Sequence, residues 1–185
     1  MKEKRINLWN DAGKAGLVLG TVSILYMIIT LFTGKIAGGG IKAILIGTLN
    51  FALWAGKLVL CIWLMRFFLL KFSKSNPSAD NNKVFRFGML VALLSALLYS
   101  AFYLVYILYI NPNSMAEAFD LAIQQYSASL DAQSLEALEN IKSDMPTISF
   151  FAQLIWSWLF GTILSAIFSR KIPSDKNNPF TPEEQ

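Results

Sequence analysis

Four long runs of apolar residues, separated by polar or glycine-rich stretches, dominate the pattern along this 185-residue chain. A helix needs about 20 mainly apolar residues to cross the roughly 30 Å hydrocarbon layer of a bilayer. The runs that meet this requirement lie at about residues 15–33, 43–65, 87–110 and 147–168. The pattern therefore predicts an all-α, polytopic membrane protein with four transmembrane helices.

Residues that disfavour a helix separate these runs. Residues 38–40 are all glycine, which loses the most conformational freedom in a helix. Pro112 disfavours the α conformation for Asn111 and so ends the third run. Residues 73–83 are rich in Ser, Asn, Asp and Pro, and we expect a mobile loop there. We also expect the side chain of Asp144 to cap the fourth helix.

Residues 113–143, between the third and fourth runs, show an amphipathic pattern. Apolar residues recur there at spacings of three and four, which predicts two helices, the second capped by Asp131 or Ser134. Their apolar faces are Met115, Phe119, Ala122, Ile123, Tyr126 and Leu130, then Leu135, Leu138 and Ile141. This acidic helical hairpin is either a docking element or a cover over loop surface, and we favour the cover.

Basic residues predict the orientation of the chain in the membrane. One side holds Lys2, Lys4, Arg5, Lys14, Arg66, Lys71, Lys74, Lys83, Arg86, Arg170, Lys171 and Lys176. The other side holds only Lys35, Lys42 and Lys142. Because basic flanks stay in the cytoplasm, we expect a cytoplasmic leader (residues 1–14), a cytoplasmic and disordered tail (173–185), and an extracytoplasmic hairpin. The first run is longer than the apolar part of a signal peptide, which favours an uncleaved anchor.

The composition argues against most catalytic chemistry. The chain has no histidine, so it lacks the usual general base near neutral pH and the commonest metal ligand. Cys61 is the only cysteine, which excludes an intramolecular disulfide and a cysteine zinc site. Cys61 suits palmitoylation only at the membrane edge, and we favour a buried, apolar role. We expect no catalytic residue, no metal, no cofactor and no enzymatic activity.

Lys57 is the one charged residue within the four runs. A lysine at a span centre costs roughly 2.5–3.5 kcal/mol on insertion scales, so something should offset it. This cost can be offset by a water-filled cavity, by a polar or anionic partner, or by snorkelling of the side chain to the headgroups. Asn50 lies on the same helix face, and Gln153 is the only amide of the fourth run. Asn50, Lys57 and Gln153 are therefore a candidate intramembrane polar site for an anion or a proton, although we favour snorkelling.

Two further patterns concern packing between the helices. Small residues at four-residue spacing allow close helix approach, within the chain or between two copies, and they are Gly16, Gly20, Gly56, Gly161 and Ser165. A polar stripe in the third run consists of Ser95, Tyr99, Tyr103 and Tyr106. We expect the hydroxyl groups there to form hydrogen bonds between helices and the tyrosines to lie at the outer membrane interface. We do not favour a polar pathway.

Some local sequences are similar to those of a known family. The third run ends in Tyr109-Ile110-Asn111-Pro112, the fourth closes with residues 161–168 followed by Ser169-Arg170-Lys171, and the tail contains Asn178-Pro179-Phe180. With the basic leader and outer hairpin, this resembles a family of small four-helix inner-membrane proteins common in Bacteroidetes and classed as a domain of unknown function. The resemblance implies a bacterial cytoplasmic (inner) membrane location and no known activity.

Two functional hypotheses remain open from the sequence. We favour a non-enzymatic accessory or scaffold protein that acts through its helices or a partner's. The alternative is a small transporter or channel-like protein, acting alone or as an oligomer, with its polar site at Asn50 and Lys57. The expected partners are the lipid bilayer, anionic lipid heads at the cytoplasmic basic loop, and a second copy or another protein. Nucleic acid is not expected, because the basic loops flank the spans directly.

Overall fold

The computed structural model describes residues 8–35, 41–77, 79–126 and 131–172, and every element over these residues is helical. The elements are α1 (Leu8–Lys35), α2 (Ile41–Ser75), α3 (Asn81–Val105) with a π-helical turn (Tyr106–Ile110), α4 (Pro112–Tyr126), α5 (Ala132–Lys142) and α6 (Met145–Ser169). Helices α1, α2, α3 with its π turn, and α6 are long and apolar enough to cross a membrane. The predicted all-α fold with four spans and a helical hairpin between the third and fourth is confirmed.

Some predictions concern segments outside the described residues. These are the first part of the leader (residues 1–7), the glycine run (38–40), Leu130 and the tail (173–185). They stay predictions.

The segment between α2 and α3 corrects one prediction. Most of residues 73–83 is helical, because α2 continues to Ser75 and α3 begins at Asn81. The polar residues that favour a loop here cap the two helices instead. The side-chain amide of Asn76 donates to the carbonyl of Phe72 at 3.0 Å, and Asp80 accepts from the amide of Lys83 at 3.0 Å.

Helix α3 lies at the centre of the bundle. It packs along α1 on one side and along α6 on the other, whereas α2 leans on α1 and touches α6 and α3 less. The four spans alternate in direction, so α1 begins, α2 ends, α3 begins and α6 ends at the same end of the bundle. We call this the basic end, because it carries most of the lysines and arginines, and the opposite end the hairpin end.

The hydrophobic core lies toward the basic end. Met65 and Leu69 of α2 and Val84 and Val91 of α3 are almost fully buried there. Phe87 stacks on Phe72 of α2, with ring centroids 4.1 Å apart. These contacts hold α1, α2 and α3 together over the half of the bundle nearest the basic end.

Close helix approach at this core depends on small residues. A Cβ added to Gly16 would lie 2.9 Å from the Cβ of Leu94, and one added to Gly161 would lie 2.5 Å from the Cβ of Ala92. Gly20 lies similarly close to a leucine of α3. Ser165 donates to the carbonyl of Phe85 at 3.0 Å and so ties α6 to α3.

Gly56 and Gly88 differ from the sequence-based list of packing residues. A Cβ on Gly56 would meet nothing within 4 Å, so the residue has no packing role between the described helices. A Cβ on Gly88 would collide with the side chains of Ser165 and Leu69. The tightest small-residue contact between the described helices is therefore at Gly88. This residue begins a four-residue repeat of small residues in α3 (Gly88, Ala92, Ala96 and Ser100) that was not among the predicted packing residues.

At the hairpin end, the third span ends in a widened turn. The backbone amide of Asn111 donates to the carbonyl of Tyr106, five residues back, at 2.9 Å. Pro112 follows and begins α4. The third span therefore ends where Pro112 predicted. It ends in one π-helical turn, which contains more residues than an α-helical turn.

The hairpin helices are linked mainly by polar contacts. Lys142 of α5 and Asp120 of α4 form an ion pair of 2.5 Å. Asp131 caps α5 by accepting from the amide of Ser134 at 2.9 Å, which settles the choice between the two predicted caps. Asp144 precedes α6 but its side chain makes no capping bond, because its backbone is already helical (φ −92°, ψ −7°). The predicted cap at Asp144 is thus wrong.

Candidate functional site

A cavity of about 510 Å³ lies in the middle of the bundle, between α1, α2, α3 and α6. Its floor toward the basic end is formed by Leu19, Met65, Ala92 and Leu164, which belong to the core or pack on it. Ligand sites in proteins typically occupy about 300–1,000 Å³. The cavity is therefore large enough for a small organic ligand.

The wall of this cavity is unusually polar for a membrane interior. Each of the four spans contributes at least two polar or titratable side chains. They are Ser23 and Tyr26 from α1, Lys57 and Cys61 from α2, Ser95 and Tyr99 from α3, and Gln153 and Ser157 from α6. No carboxylate of the described residues lines the cavity. These residues also contain no group of three or more His, Cys, Asp or Glu side chains that could hold a metal ion.

Lys57 carries the only formal charge in the cavity wall, and its ammonium lies between two aromatic rings. Its Nζ is 4.9 Å from the ring centre of Tyr26 and 5.1 Å from that of Tyr99. A desolvated cation–π contact is worth about 2 kcal/mol or more. Two such contacts are comparable with the roughly 2.5–3.5 kcal/mol that a lysine costs at a span centre. The tyrosine rings thus supply the offset that the sequence required.

The Lys57 side chain does not extend toward the headgroups, as snorkelling would require. Tyr26 is on α1 and Tyr99 is on α3, so the ammonium points into the bundle and not along α2 toward the headgroups. Within the described residues Lys57 forms no salt bridge. A positive charge in a site of low polarity attracts anions more strongly than it would in water.

Helices α2 and α6 pack on each other less extensively than the other neighbouring helices around the cavity do. Three large aromatic side chains that line the cavity are also exposed on these two helices: Trp54 of α2 (50%), and Trp156 (73%) and Phe160 (41%) of α6. In a bilayer these side chains would face the acyl chains. The seam between α2 and α6 is therefore a part of the cavity wall that borders the lipid.

Only two of the three predicted site residues lie in the cavity. Lys57 and Gln153 both line it, and Gln153 donates to Ser157 of its own helix at 2.8 Å rather than across to α2. Asn50 lies elsewhere, because it accepts a 2.6 Å hydrogen bond from the hydroxyl of Thr33 on α1. Asn50 therefore bonds a neighbouring helix and is not part of the candidate site.

The polar cavity residues that were not predicted from the sequence are Ser23, Tyr26 and Ser157. Ser23 and Tyr26 are spaced three apart and continue the face of α1 that bears Leu19, so they form a polar extension of a core-facing stripe. That spacing is the signal that could have identified them. Ser95 and Tyr99 belong to the predicted polar stripe, but their side chains line an open space instead of a closed helix contact.

The chain matches a known protein family over most of its length. The family model described as Protein of unknown function (DUF4199) matches residues 14–170, which include nearly all of the four spans. The chain belongs to this family. Comparisons of this DUF4199 protein with curated proteins and with solved structures find no match. The expected membership in a family of unknown function is confirmed. The cavity is therefore the feature from which a function can be proposed.

Proposed function

We propose that this DUF4199 protein is a non-enzymatic, multi-pass protein of the bacterial inner membrane that binds an anionic ligand in the cavity at Lys57. One observation carries the proposal. A lysine ammonium, held between Tyr26 and Tyr99, faces a cavity of about 510 Å³ whose wall has no carboxylate. Such a site has a positive charge that an anionic group can neutralise, and it has space for that group.

The positive-inside rule supports the orientation in this proposal. The ends of the spans at the basic end carry Lys14, Lys71, Lys74, Lys83, Arg86, Arg170 and Lys171. Flanking lysines and arginines are retained in the cytoplasm during insertion. Both termini are then cytoplasmic, the hairpin of α4 and α5 is extracytoplasmic, and the basic end is available to anionic lipid heads.

The shape of the bundle favours a binding site over an open pore. The core at Met65, Leu69 and Phe87 closes the bundle between the cavity and the basic end. The cavity is therefore closed toward the basic end in this conformation. A transport cycle would require the helices to part at this core, so the small-transporter alternative corresponds to a second conformation of the same site.

An accessory or scaffold role remains the second candidate, and the hairpin favours it. Glu117, Asp120 and Glu136 are exposed on α4 and α5, beside the exposed apolar side chains of Leu121 and Tyr126. An acidic surface with apolar anchors suits a basic protein partner or a second copy. This role uses another face of the molecule and is compatible with ligand binding.

The charge preference of the cavity tests the proposed function. A Ser95→Cys variant in a Cys61→Ala background places one thiol in the cavity wall and keeps Lys57. Anionic and cationic methanethiosulfonate reagents of similar size would then be compared for labelling rate. We expect the anionic reagent to react roughly 5- to 10-fold faster, since 1.4 kcal/mol of local potential corresponds to a factor of 10.

Two further variants make the result specific to Lys57. Adding Lys57→Gln should abolish the preference for the anionic reagent. Adding Lys42→Gln should leave it intact, because Lys42 is exposed on the same helix and does not line the cavity. Equal rates for the two reagents with Lys57 present would overturn the proposal.

A further inference from the structure

We propose that the ligand is a single-chain amphiphile with one carboxylate, of the long-chain fatty-acid class, which enters sideways from the bilayer between α2 and α6. The inference rests on the proposed anion binding and adds to it the chemistry and route of the ligand. It follows from the distribution of polar and apolar groups around the cavity.

The charge of the cavity lies toward one side, and its lipid-exposed aromatic residues lie toward the other. The ammonium of Lys57 and the rings of Tyr26 and Tyr99 meet on the side formed by α1 and α3. Trp54, Trp156 and Phe160 lie at the α2–α6 seam, where they are exposed. A ligand that satisfies both sides has a charged head against Lys57 and an apolar body along the seam.

The charge of the site selects a monoanion. Among the described residues, one lysine and no carboxylate line the cavity, so a head with a single negative charge neutralises it. A dianionic phosphate would leave one negative charge without a cationic partner inside the membrane, which is unfavourable. A carboxylate provides the single charge, and it can also accept hydrogen bonds from the hydroxyl and amide donors of the wall.

The route follows from what closes the cavity. The core blocks the basic end, and α3 packs closely on both α1 and α6. The seam between α2 and α6 is lined by exposed aromatic side chains that would contact lipid. A ligand already dissolved in the bilayer reaches Lys57 through this seam without crossing a polar surface.

The cavity size limits the ligand to one chain. About 510 Å³ falls in the middle of the range of sites for small organic ligands, roughly 300–1,000 Å³. A diacyl lipid would have to leave one of its chains outside the seam. A single-chain carboxylate fits its head and the adjoining part of its chain.

Tryptophan quenching by a brominated fatty acid tests this inference. The protein would be placed in nanodiscs of zwitterionic phosphatidylcholine and titrated with 9,10-dibromostearate. The methyl ester of the same acid, which partitions into lipid but has no charge, measures the quenching due to the bilayer alone. We expect the acid to quench at concentrations at least tenfold lower than the ester.

Matched variants show whether the quenching comes from the cavity. Lys57→Gln should bring the acid to the level of the ester, and Lys42→Gln should leave the tenfold difference. Replacing Trp54 and Trp156 together by Phe should remove most of the difference, because these two residues flank the seam. Equal quenching by acid and ester in the unaltered protein would overturn the inference.

A short carboxylate separates failure of this inference from failure of the proposed function. Acetate would be tested for its ability to slow anionic labelling of Ser95→Cys. If acetate protects while acid and ester quench equally, the site binds a small aqueous anion, the amphiphile inference falls and the proposed function stands. If acetate does not protect and the labelling shows no charge preference, both fall.

Discussion

The two halves of the bundle are built from the same four helices but differ in how those helices meet. At the basic end, Leu69 and Val84 are buried and a side chain at Gly88 would have no space. Toward the hairpin end, the helices surround a cavity with Lys57 in its wall. Small residues allow close approach in the first half, and large polar residues hold the helices apart in the second.

This difference indicates that the half at the basic end stabilises the bundle, whereas the half around the cavity is available for binding. Lipid tails are as apolar as leucine, so helices in a membrane associate through packing and not through the hydrophobic effect. Dense packing at the basic end can therefore stabilise the bundle while the other half stays open. The following predictions test the two halves against each other.

Leu69→Ala should have the largest effect on stability. Leu69 is fully buried in the packed half, and Leu→Ala at such sites costs about 2–5 kcal/mol through lost contacts and a residual cavity. Leu60→Ala is the matched control on the same helix, because Leu60 is exposed. Unfolding in mixed detergent micelles, followed by circular dichroism, measures both. Similar losses in the two variants would contradict the account of the packed half.

Gly88→Ala should destabilise by about 1–3 kcal/mol, the usual cost of overpacking. The added methyl would collide with Ser165 and Leu69. Gly56→Ala is the control, since a methyl there meets nothing within 4 Å. We expect Gly56→Ala to be neutral or to gain up to about 1 kcal/mol from helix propensity. Equal destabilisation by the two substitutions would refute the close contact at Gly88.

In the open half, Lys57 and Tyr26 should show a coupling free energy of about 2 kcal/mol, the value of a desolvated cation–π contact. A double-mutant cycle of Lys57→Met and Tyr26→Leu measures this cation–π contact separately from the packing of either residue. Tyr109→Leu serves as the control partner, because Tyr109 is 79% exposed at the end of the third span. The same micelle unfolding assay applies. Coupling to Tyr109 as large as that to Tyr26 would show that the cycle does not report a contact.

The smallest effect is expected in the hairpin, at its helix caps. Asp131→Ala should increase amide hydrogen exchange in the first turn of α5, because the carboxylate accepts a bond from Ser134. Asp144→Ala should leave the first turn of α6 nearly unchanged, since Asp144 makes no side-chain cap. Faster exchange in α6 than in α5 would contradict this assignment of the caps.

The cap at Asp131 also predicts a pH dependence. Hydrogen bonding from Ser134 lowers the pKa of Asp131 in the folded protein. The stabilisation is therefore present above the pKa of an unfolded aspartate, about 3.9, and is lost as the pH falls through the lower folded value. Exchange at the start of α5 should accelerate only in that acidic range, and the Asp131→Ala variant should lack this response.

The spans were predictable from sequence because the bilayer imposes a simple length rule on them. The ends of the helices were less predictable. Asn76 and Asp80 belong to a composition typical of loops, yet each stabilises a helix end through a bond that depends on the exact turn. A composition-based expectation cannot distinguish a polar residue that leaves the helix from one that caps it.

The candidate site was only partly predictable, because it depends on how the helices are arranged. Lys57 stood out by its charge alone, but its aromatic partners lie on α1 and α3 and could not be assigned without the packing order. Asn50 shares a helix face with Lys57, yet it is nearer the end of α2 and meets Thr33 instead of the cavity. Gly88 shows the same limit, because the sequence does not reveal that Ser165 of α6 is the residue that faces it.

The accessibility of position 57 tests the central claim most directly. Lys57→Cys and Gly56→Cys, each in a Cys61→Ala background, would be treated with a small membrane-impermeant thiol reagent from each side, with Asp144→Cys as an exposed control. The account predicts that Lys57→Cys reacts at a rate near that of Asp144→Cys, and that Gly56→Cys, which faces lipid, does not react. A Lys57→Cys variant that folds normally and is as unreactive as Gly56→Cys would contradict the account, because the cavity would then be closed to water.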